Sequence, residues 1–235
     1  MSFKPNTALL SRLKSIYPTT NDNPWYIVSA VAFSASNEPQ AVPEVFRHAL
    51  AETGSGEEHN PEKLRIARRL REALFKSGLT CGYPKAINSL AALHEATPPE
   101  LQDTKTMRDV HTSMEDHDRN GRAFFRETYG DTADDVQKLL DTIYPDMGFF
   151  SNTIGYGLTY SFSSILSPLE TSYVLVASLI ANDTPRQINW HLDGARRNGA
   201  TLEQVRAVRQ MAIEAAAACG IKWRDGVPEV VDKDT

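Results

Sequence analysis

The chain has 235 residues, of which 41% are hydrophobic, and a formal net charge of −5 at pH 7. The acidic balance argues against nucleic acid or an anionic membrane surface as the main partner, and every apolar run is too short to predict a membrane span. Two cysteines in a chain of this length do not make a disulfide framework, which indicates a reducing intracellular compartment.

Apolar residues recur at helical spacing through the first part of the chain. The predicted helices there cover 7–16, 25–35, 41–53, 61–78 and 84–95. The long fourth helix carries the expected end signals, because Asn60 is a favoured N-cap, Pro61 suits the first helical position, and Gly78 closes the pattern. The run at 25–35 is almost wholly apolar, which predicts a buried helix.

A break at 96–100 leads into a charged stretch. The segments 122–130 and 131–145 then continue the helical pattern, whereas the aromatic, glycine- and serine-rich segment 149–167 predicts a loop and a short helix. The last predicted helices cover 168–181, 185–198 and 201–218. The whole pattern therefore predicts an all-α protein.

The two ends of the chain resemble each other. Each has a histidine on one helix, a glycine turn, and then a helix with regularly spaced arginines. Arg65 and Arg206 lie 141 positions apart, and His48 and His191 lie 143 apart, which indicates a diverged tandem duplication. The predicted division is a first half at 1–96, a helical connector at 97–144 and a second half at 145–235.

Residues 166–220 contain a leucine turn, a helix, a short polar break, a helix with His191, and a Gly-x-Thr sequence that opens a glutamate-containing helix. In this order they resemble the carboxymuconolactone decarboxylase and AhpD-like domain. The stretch 70–93, "LREALFKSGLTCGYPKAINSLAAL", resembles the end of such a domain, although its Cys-Gly-Tyr-Pro order differs. The resemblance implies an all-α, AhpD-like helical fold and assembly into homo-oligomers.

Members of the AhpD type carry a Cys-x-x-Cys pair ahead of the histidine, and a helix presents both thiols and the imidazole on one face. Counting back from His191, those positions hold Thr184 and Gln187, and the positions before His48 hold no cysteine either. The resemblance therefore implies the decarboxylase branch, which needs no cofactor.

The two cysteines, Cys81 and Cys219, each precede a glycine. Buried free cysteine behaves as a small apolar residue, and this is the simpler interpretation of both. The alternative is thiol chemistry, in which Cys81 is catalytic. The two residues could also form a bond if the fold brings their Cα atoms within about 7 Å.

His191 is the strongest catalytic candidate, because a neutral imidazole in an apolar pocket can take or give a proton near pH 7. Glu72 could serve as an acid or base if it is buried beside Tyr83, or it could pair with Lys76 one helical turn away. The candidate substrate-binding residues are Trp190, Arg186, Tyr83, Tyr156, Tyr160, Tyr173 and His48. Further arginines that could hold a substrate carboxylate are Arg71, Arg196 and Arg197.

The stretch "HTSMEDHD" at 111–118 has histidine and carboxylate spacing that some metal sites use. Its high charge favours a solvated helix end, so we predict no metal. The segment before Asp22 has basic and hydroxyl residues but no acidic ones, which leaves a mitochondrial presequence as the alternative to a cytoplasmic location. The last residues do not match a peroxisomal Ser-Lys-Leu tripeptide.

These observations lead to three hypotheses. The first is a cofactor-free lyase or proton-transfer enzyme that acts on a small organic acid or lactone, with His191 as general acid and base. The second is a thiol-dependent, alkylhydroperoxidase-like antioxidant oxidoreductase that uses Cys81 and Cys219. The third is a non-catalytic family member. In each case the expected partners are a small molecule and further copies of the chain, with no nucleic acid and no membrane.

Overall fold

The structure is a computed structural model that describes residues 3–18, 22–54, 56 and 59–232. Helices account for its regular structure, and these residues contain no β-strand. The predicted all-α class is therefore confirmed. None of the helices in the described ranges is long and apolar enough to cross a lipid bilayer.

Eleven α-helices follow one another among the described residues. They are α1 (Thr7–Ile16), α2 (Trp25–Ala35), α3 (Val42–Ala51), α4 (Asn60–Cys81), α5 (Tyr83–Ala96), α6 (Met114–Tyr129), α7 (Ala133–Ile143), α8 (Pro145–Phe150), α9 (Pro168–Ala181), α10 (Pro185–Arg197) and α11 (Leu202–Ala218). A π-helix, Ser151–Tyr160, continues directly from α8. Short 3-10 turns lie at Pro39–Ala41, Pro99–Leu101 and Gly130–Thr132.

The centre of the molecule is formed by α2 and α9, which pack against each other and against α4 and α11. Every residue of α2 is buried, as are all residues of α9 from Thr171 onward. A helix that is covered on all sides can be apolar all round, which explains the continuous apolar run at 25–35. The amphipathic helices around this pair have charged outer faces.

Two predicted boundaries are wrong. The fourth helix does not end at Gly78 but continues to Cys81, and Gly82, with a φ of +106°, ends it. Gly78 has a packing role instead, because a Cβ there would lie only 3.1 Å from the Cβ of Ala86 on α5. The helix also begins at Asn60 rather than after it, so Pro61 occupies its second position.

The segment 149–167 is more regular than predicted, since most of it belongs to α8 and the π-helix. Two glycines allow this. A Cβ on Gly157 would overlap the backbone carbonyl of His117 on α6, and a Cβ on Gly121 of α6 would overlap the carbonyl of Asn152. The π-helix therefore lies directly against the backbone of α6, and α6 belongs to the predicted connector.

Similar turns follow the two central helices. Asn37 comes two residues after α2 with a φ of 62°, and Asp183 comes two residues after α9 with a φ of 53°. Asn and Asp tolerate this left-handed conformation better than other side chains. Pro39 and Pro185 each follow two residues later, so both pairs share an offset of 146 positions. The turns support the duplication, which stays a prediction.

Candidate functional site

Four of the predicted site residues come together where α6, the π-helix and α10 meet. Aromatic side chains from all three helices pack against one another there, and His191 contacts the ring of Tyr129. We call this group the aromatic cluster; it consists of Phe124, Phe125, Tyr129, Tyr156, Tyr160, Trp190 and His191. Tyr129, Phe124 and Phe125 were not predicted as site residues.

Two tyrosine hydroxyls in the aromatic cluster are joined to each other. The Tyr156 hydroxyl donates to the Tyr129 hydroxyl at 3.1 Å, and the Tyr160 ring packs edge-on against Tyr156 at 5.3 Å between centroids. Burial raises the pKa of all three phenols. They are therefore neutral at pH 7 and able to donate a hydrogen bond to a developing negative charge.

His191 is buried at the edge of this hydroxyl pair, with 5% of its surface exposed. Its ring centroid lies 5.8 Å from that of Tyr129. Among the described residues nothing hydrogen-bonds its Nδ1 atom, which is rare for a buried polar group. Desolvation lowers the pKa of His191 to about 4, so the imidazole is neutral at pH 7. A neutral imidazole with an unpaired ring nitrogen is equipped to accept a proton.

The remaining predicted residues of α10 lie at the margin of the aromatic cluster or outside it. Trp190 is partly buried and packs edge-on against Tyr129 at 5.9 Å. Arg186 is exposed in the first turn of the helix. In the last turn, Arg196 donates to the carbonyl of Ala200 and Arg197 to that of Thr128, at 2.8 and 2.9 Å. Those two arginines thus bind backbone carbonyls, whereas the sequence had offered them as candidates to bind a substrate carboxylate.

Tyr173, Tyr83 and His48 are not brought to the aromatic cluster. Tyr173 lies in the central core, where its hydroxyl is 3.2 Å from that of Tyr17. Tyr83 is 73% exposed at the start of α5. His48 packs edge-on against the Trp25 ring at 5.3 Å.

The matching turns after α2 and α9 also change the expected correspondence between the two halves. An offset of 146 places Val45, not His48, opposite His191. Val45 is fully buried and has no titratable group. If the halves are related, the first one lacks the histidine.

Glu72 does not lie beside Tyr83 as an available acid or base. It is buried, and both of its carboxylate oxygens accept from Arg108, at 2.6 and 3.0 Å. The alternative prediction, a pair with Lys76, fits the distance of 3.9 Å between Lys76 Nζ and Glu72 Oε1. Glu72 is therefore the shared counter-ion of two cations.

Lys76 is fully buried, which is unusual for a lysine. Its Nζ donates to the carbonyls of Tyr160 and Phe162 and to the hydroxyl of Thr171, at 3.0, 2.8 and 2.7 Å. Desolvation lowers the pKa of Lys76 to about 7, Glu72 opposes that change, and Arg108 adds to it. Arg71, another predicted substrate clamp, pairs with Asp103 at 2.6 Å.

The two cysteines are free and poorly suited to thiol chemistry. Cys81 is buried, and desolvation raises its pKa. Desolvation also raises the pKa of Cys219, to about 12. A reactive cysteine needs a lowered pKa and solvent access, so these environments favour the structural interpretation of both residues.

The possible metal site at 111–118 assumed that His111 and Glu115 share a helical face. The helix begins only at Met114, after Ser113 as its N-cap, so His111 lies outside it. Within the described part of the chain no group of three or more His, Cys, Asp or Glu residues could hold a metal ion.

A cleft of about 560 Å³ lies between α4 and the segment at 103–114. Its walls are mainly apolar and include Leu158 of the π-helix, and the Glu72–Arg108 pair also lines it. Leu158 is two residues from both Tyr156 and Tyr160, so the cleft and the aromatic cluster lie on different sides of the π-helix. His191 lines neither this cleft nor the two clefts of about 450 Å³ that Arg69 lines.

Comparison with known proteins gives the family. Residues 145–226 match the model of the carboxymuconolactone decarboxylase family, a range that contains the π-helix and α10. The chain is 32% identical over 222 residues to Peroxisomal protein 2 of Schizosaccharomyces pombe, which covers 94% of this chain and 98% of that protein. It is 28% identical over 276 aligned positions to Peroxisomal protein 2 of Saccharomyces cerevisiae, covering 94% and 97%. The chain belongs to the carboxymuconolactone decarboxylase family.

Proposed function

We propose that this protein is a cofactor-free lyase or proton-transfer enzyme that acts on a small organic acid or lactone. The observation that carries the proposal is the unpaired Nδ1 of a buried, neutral His191 beside the hydroxyl pair of Tyr129 and Tyr156. The family membership supports it, because the matched residues contain two of these three side chains, His191 and Tyr156. The arrangement resembles a base placed next to hydrogen-bond donors.

The proposed chemistry for a lactone acid follows from these groups. The substrate binds with its carboxyl group protonated, and His191 takes this proton as the bond between the carboxyl carbon and the rest of the substrate breaks and CO₂ leaves. The electron pair stays on the substrate and is delocalised into its carbonyl oxygen, to which the Tyr129 hydroxyl donates while it accepts from Tyr156. The imidazolium then returns the proton to carbon, so that His191 is neutral again at the end of the cycle.

The substrate would enter past Trp190. This side chain is partly exposed, it covers Tyr129, and it precedes His191 on α10. A rotation of the indole would open the aromatic cluster to solvent without unfolding a helix. Such opening motions are common where a reaction must be kept from water.

The experiment is the ultraviolet decay of 4-carboxymuconolactone with the wild-type protein, His191→Gln and His94→Ala. His94 is exposed on α5, so its loss controls for the removal of a histidine far from the cluster. We expect decay with wild type and His94→Ala, and at least about a hundredfold less with His191→Gln, the usual effect of losing an acid–base group.

Two outcomes would contradict the proposal. Equal decay with all three proteins would remove His191 from the reaction. No decay above the uncatalysed rate, in proteins with unchanged circular dichroism, would exclude the family's namesake substrate. Consumption of an organic hydroperoxide by the same samples, and its loss in Cys81→Ala, would then support the thiol-dependent alternative. Inactivity in both assays would support a non-catalytic family member.

We also propose that the protein assembles into homo-oligomers. Supporting this, large apolar side chains four residues apart are exposed along α4 and α5, with 40–73% of their surface accessible. They are Phe75, Leu79, Tyr83 and Ile87. Light scattering after gel filtration should give a multiple of 26.1 kDa, and a Leu79→Glu, Ile87→Glu variant should give a smaller species.

The names of the two relatives place those proteins in peroxisomes. We propose the same compartment for this chain, in place of the cytoplasmic expectation and its mitochondrial alternative. Fluorescent fusions at either end, viewed with a peroxisomal marker in yeast, test the location. A diffuse signal from both fusions would support the cytoplasm, and a mitochondrial pattern the presequence.

A further inference from the structure

The carboxyl end of the π-helix is held by cations from other parts of the chain. In a π-helix each N–H bonds to the carbonyl five residues back, so the last carbonyls have no N–H partner within the helix. The carbonyl of Tyr156 accepts from the N–H of Ser161, just beyond the helix end, at 2.8 Å. The Ser161 hydroxyl donates to the carbonyl of Gly157 at 2.6 Å. The carbonyls after these need partners from elsewhere.

Arg108 and Lys76 supply those partners. Arg108 donates to the carbonyls of Leu158 and Thr159, at 2.9 and 3.1 Å. Lys76 donates to the carbonyl of Tyr160 at 3.0 Å, and to that of Phe162 just past the helix at 2.8 Å. Every carbonyl from Tyr156 to Tyr160 is thereby satisfied.

The two cations are themselves fixed in place. Glu72 accepts from Arg108 at 2.6 and 3.0 Å and lies 3.9 Å from Lys76. The Arg108 guanidinium is stacked between the rings of Phe75 and Phe162, at 4.6 and 4.3 Å from their centroids. When Lys76 is protonated, the two positive charges and one negative charge leave a net positive charge, which suits the negative end of a helix dipole.

We propose that Glu72, Lys76 and Arg108 form a positioning unit that caps the π-helix and so holds Tyr156 and Tyr160 in the aromatic cluster. The capped turn contains both tyrosines, so a shift of this turn would move the Tyr156 hydroxyl relative to Tyr129 and His191. The unit lies outside the residues that match the family model, in the first half and the connector of the chain. The first half would thus support the site of the second.

The role of the aromatic cluster as a site rests on the proposed function, whereas the capping of the π-helix can be tested without any assay of activity. The measurement is amide hydrogen exchange of the full-length protein, followed by mass spectrometry of peptides from 151–162, α6 and α9. The variants are Lys76→Met, which removes three donors, and Arg108→Met, which removes the partners of two carbonyls. Lys85→Met is the matched control, because Lys85 donates at 2.6 Å to the carbonyl of Ala35 at the end of α2.

We expect exchange of the 151–162 peptide to rise at least about tenfold in Lys76→Met and Arg108→Met, with little change in α9. Lys85→Met should leave that peptide as in wild type. A uniform rise across all peptides, or no rise in 151–162, would overturn the inference. If Lys76→Met does not fold, Arg108→Met decides alone, since Arg108 is closer to the surface.

The outcomes separate this inference from the proposed function. A wild-type protein that is inactive on every substrate, with selective loosening of 151–162 in the variants, would leave the capping role standing. An active wild type whose Arg108→Met variant exchanges normally would support the function and refute the cap. If both hold, Arg108→Met should lower kcat with an unchanged pH profile, because His191 itself is intact.

Discussion

The buried neutral state of His191 has a consequence that can be measured without a substrate. In the unfolded chain a histidine binds its proton near pH 6.5, whereas in the folded chain His191 binds it only near pH 4. Below pH 6.5 the unfolded state therefore binds more protons than the folded state, and acid favours unfolding. The stabilisation is complete above pH 6.5 and is lost as the pH falls toward 4.

The magnitude follows from the size of the pKa shift. Each pH unit below 6.5 removes about 1.4 kcal/mol from the free energy of unfolding, down to the folded-state pKa. At pH 5.0, where most carboxylates are still ionised, the loss from this one group is about 2 kcal/mol. That is a large fraction of the stability of an ordinary domain.

Urea unfolding at pH 7.0 and pH 5.0 tests this for the wild type, His191→Leu and His94→Ala. Leucine does not titrate, so His191→Leu should lose about 2 kcal/mol less than wild type between the two pH values. His94→Ala is the control for the removal of a histidine elsewhere, since that side chain is exposed on α5. If His191→Leu and wild type lose the same amount, the imidazole is not held neutral by burial, and the proposed base has the wrong environment.

Three further predictions concern packing, the hydroxyl pair and the thiols. Gly157→Ala should lower the free energy of unfolding, measured with urea, by at least about 3 kcal/mol, since its Cβ would overlap the backbone of α6. Gly155→Ala, in the same helix, should change this free energy little, because no neighbour lies closer than 3.8 Å to the added Cβ. Equal effects of the two substitutions would contradict the close approach. Tyr129→Phe should cost about 1 kcal/mol by the same measurement, because it removes one hydrogen-bonding partner of Tyr156, and no change would argue against the pair. In the folded protein Cys219 should react with a disulfide reagent about 1000-fold more slowly than in urea, since raising the pKa from 9.0 to about 12 reduces the thiolate that much. The buried Cys81 should also react slowly, and rapid labelling of either thiol in the folded state would contradict its raised pKa.

The sequence predicted the helices of the core well, because their signals are local. Period and composition predicted α2 as a buried helix and α9 from residue 168, and they placed the start of α11 one residue early, at its N-cap Thr201. The family pattern likewise needs only the order of short motifs along the chain. Both kinds of signal are carried by neighbouring residues.

The site was predicted in part, for the same reason. His191 and Trp190 were found because they lie within the family pattern, and Tyr156 and Tyr160 because aromatic residues are dense in their segment. Tyr129 was missed. Its helix gives an ordinary amphipathic pattern, and the close backbone approach at Gly121 and Gly157 brings this helix against the π-helix.

The sequence by itself determined the all-α class, the family and the histidine at the centre of the candidate site. Only the tertiary structure decided that Glu72 is a counter-ion rather than a free acid, and that Lys76 and Arg108 hold the end of the π-helix. The contacts that decide this join residues 36, 50 and 84 positions apart. A lone carboxylate or lysine on a helix has the same local pattern whether it faces water, a substrate or an unpaired carbonyl, and only its folded neighbours settle which of these it meets.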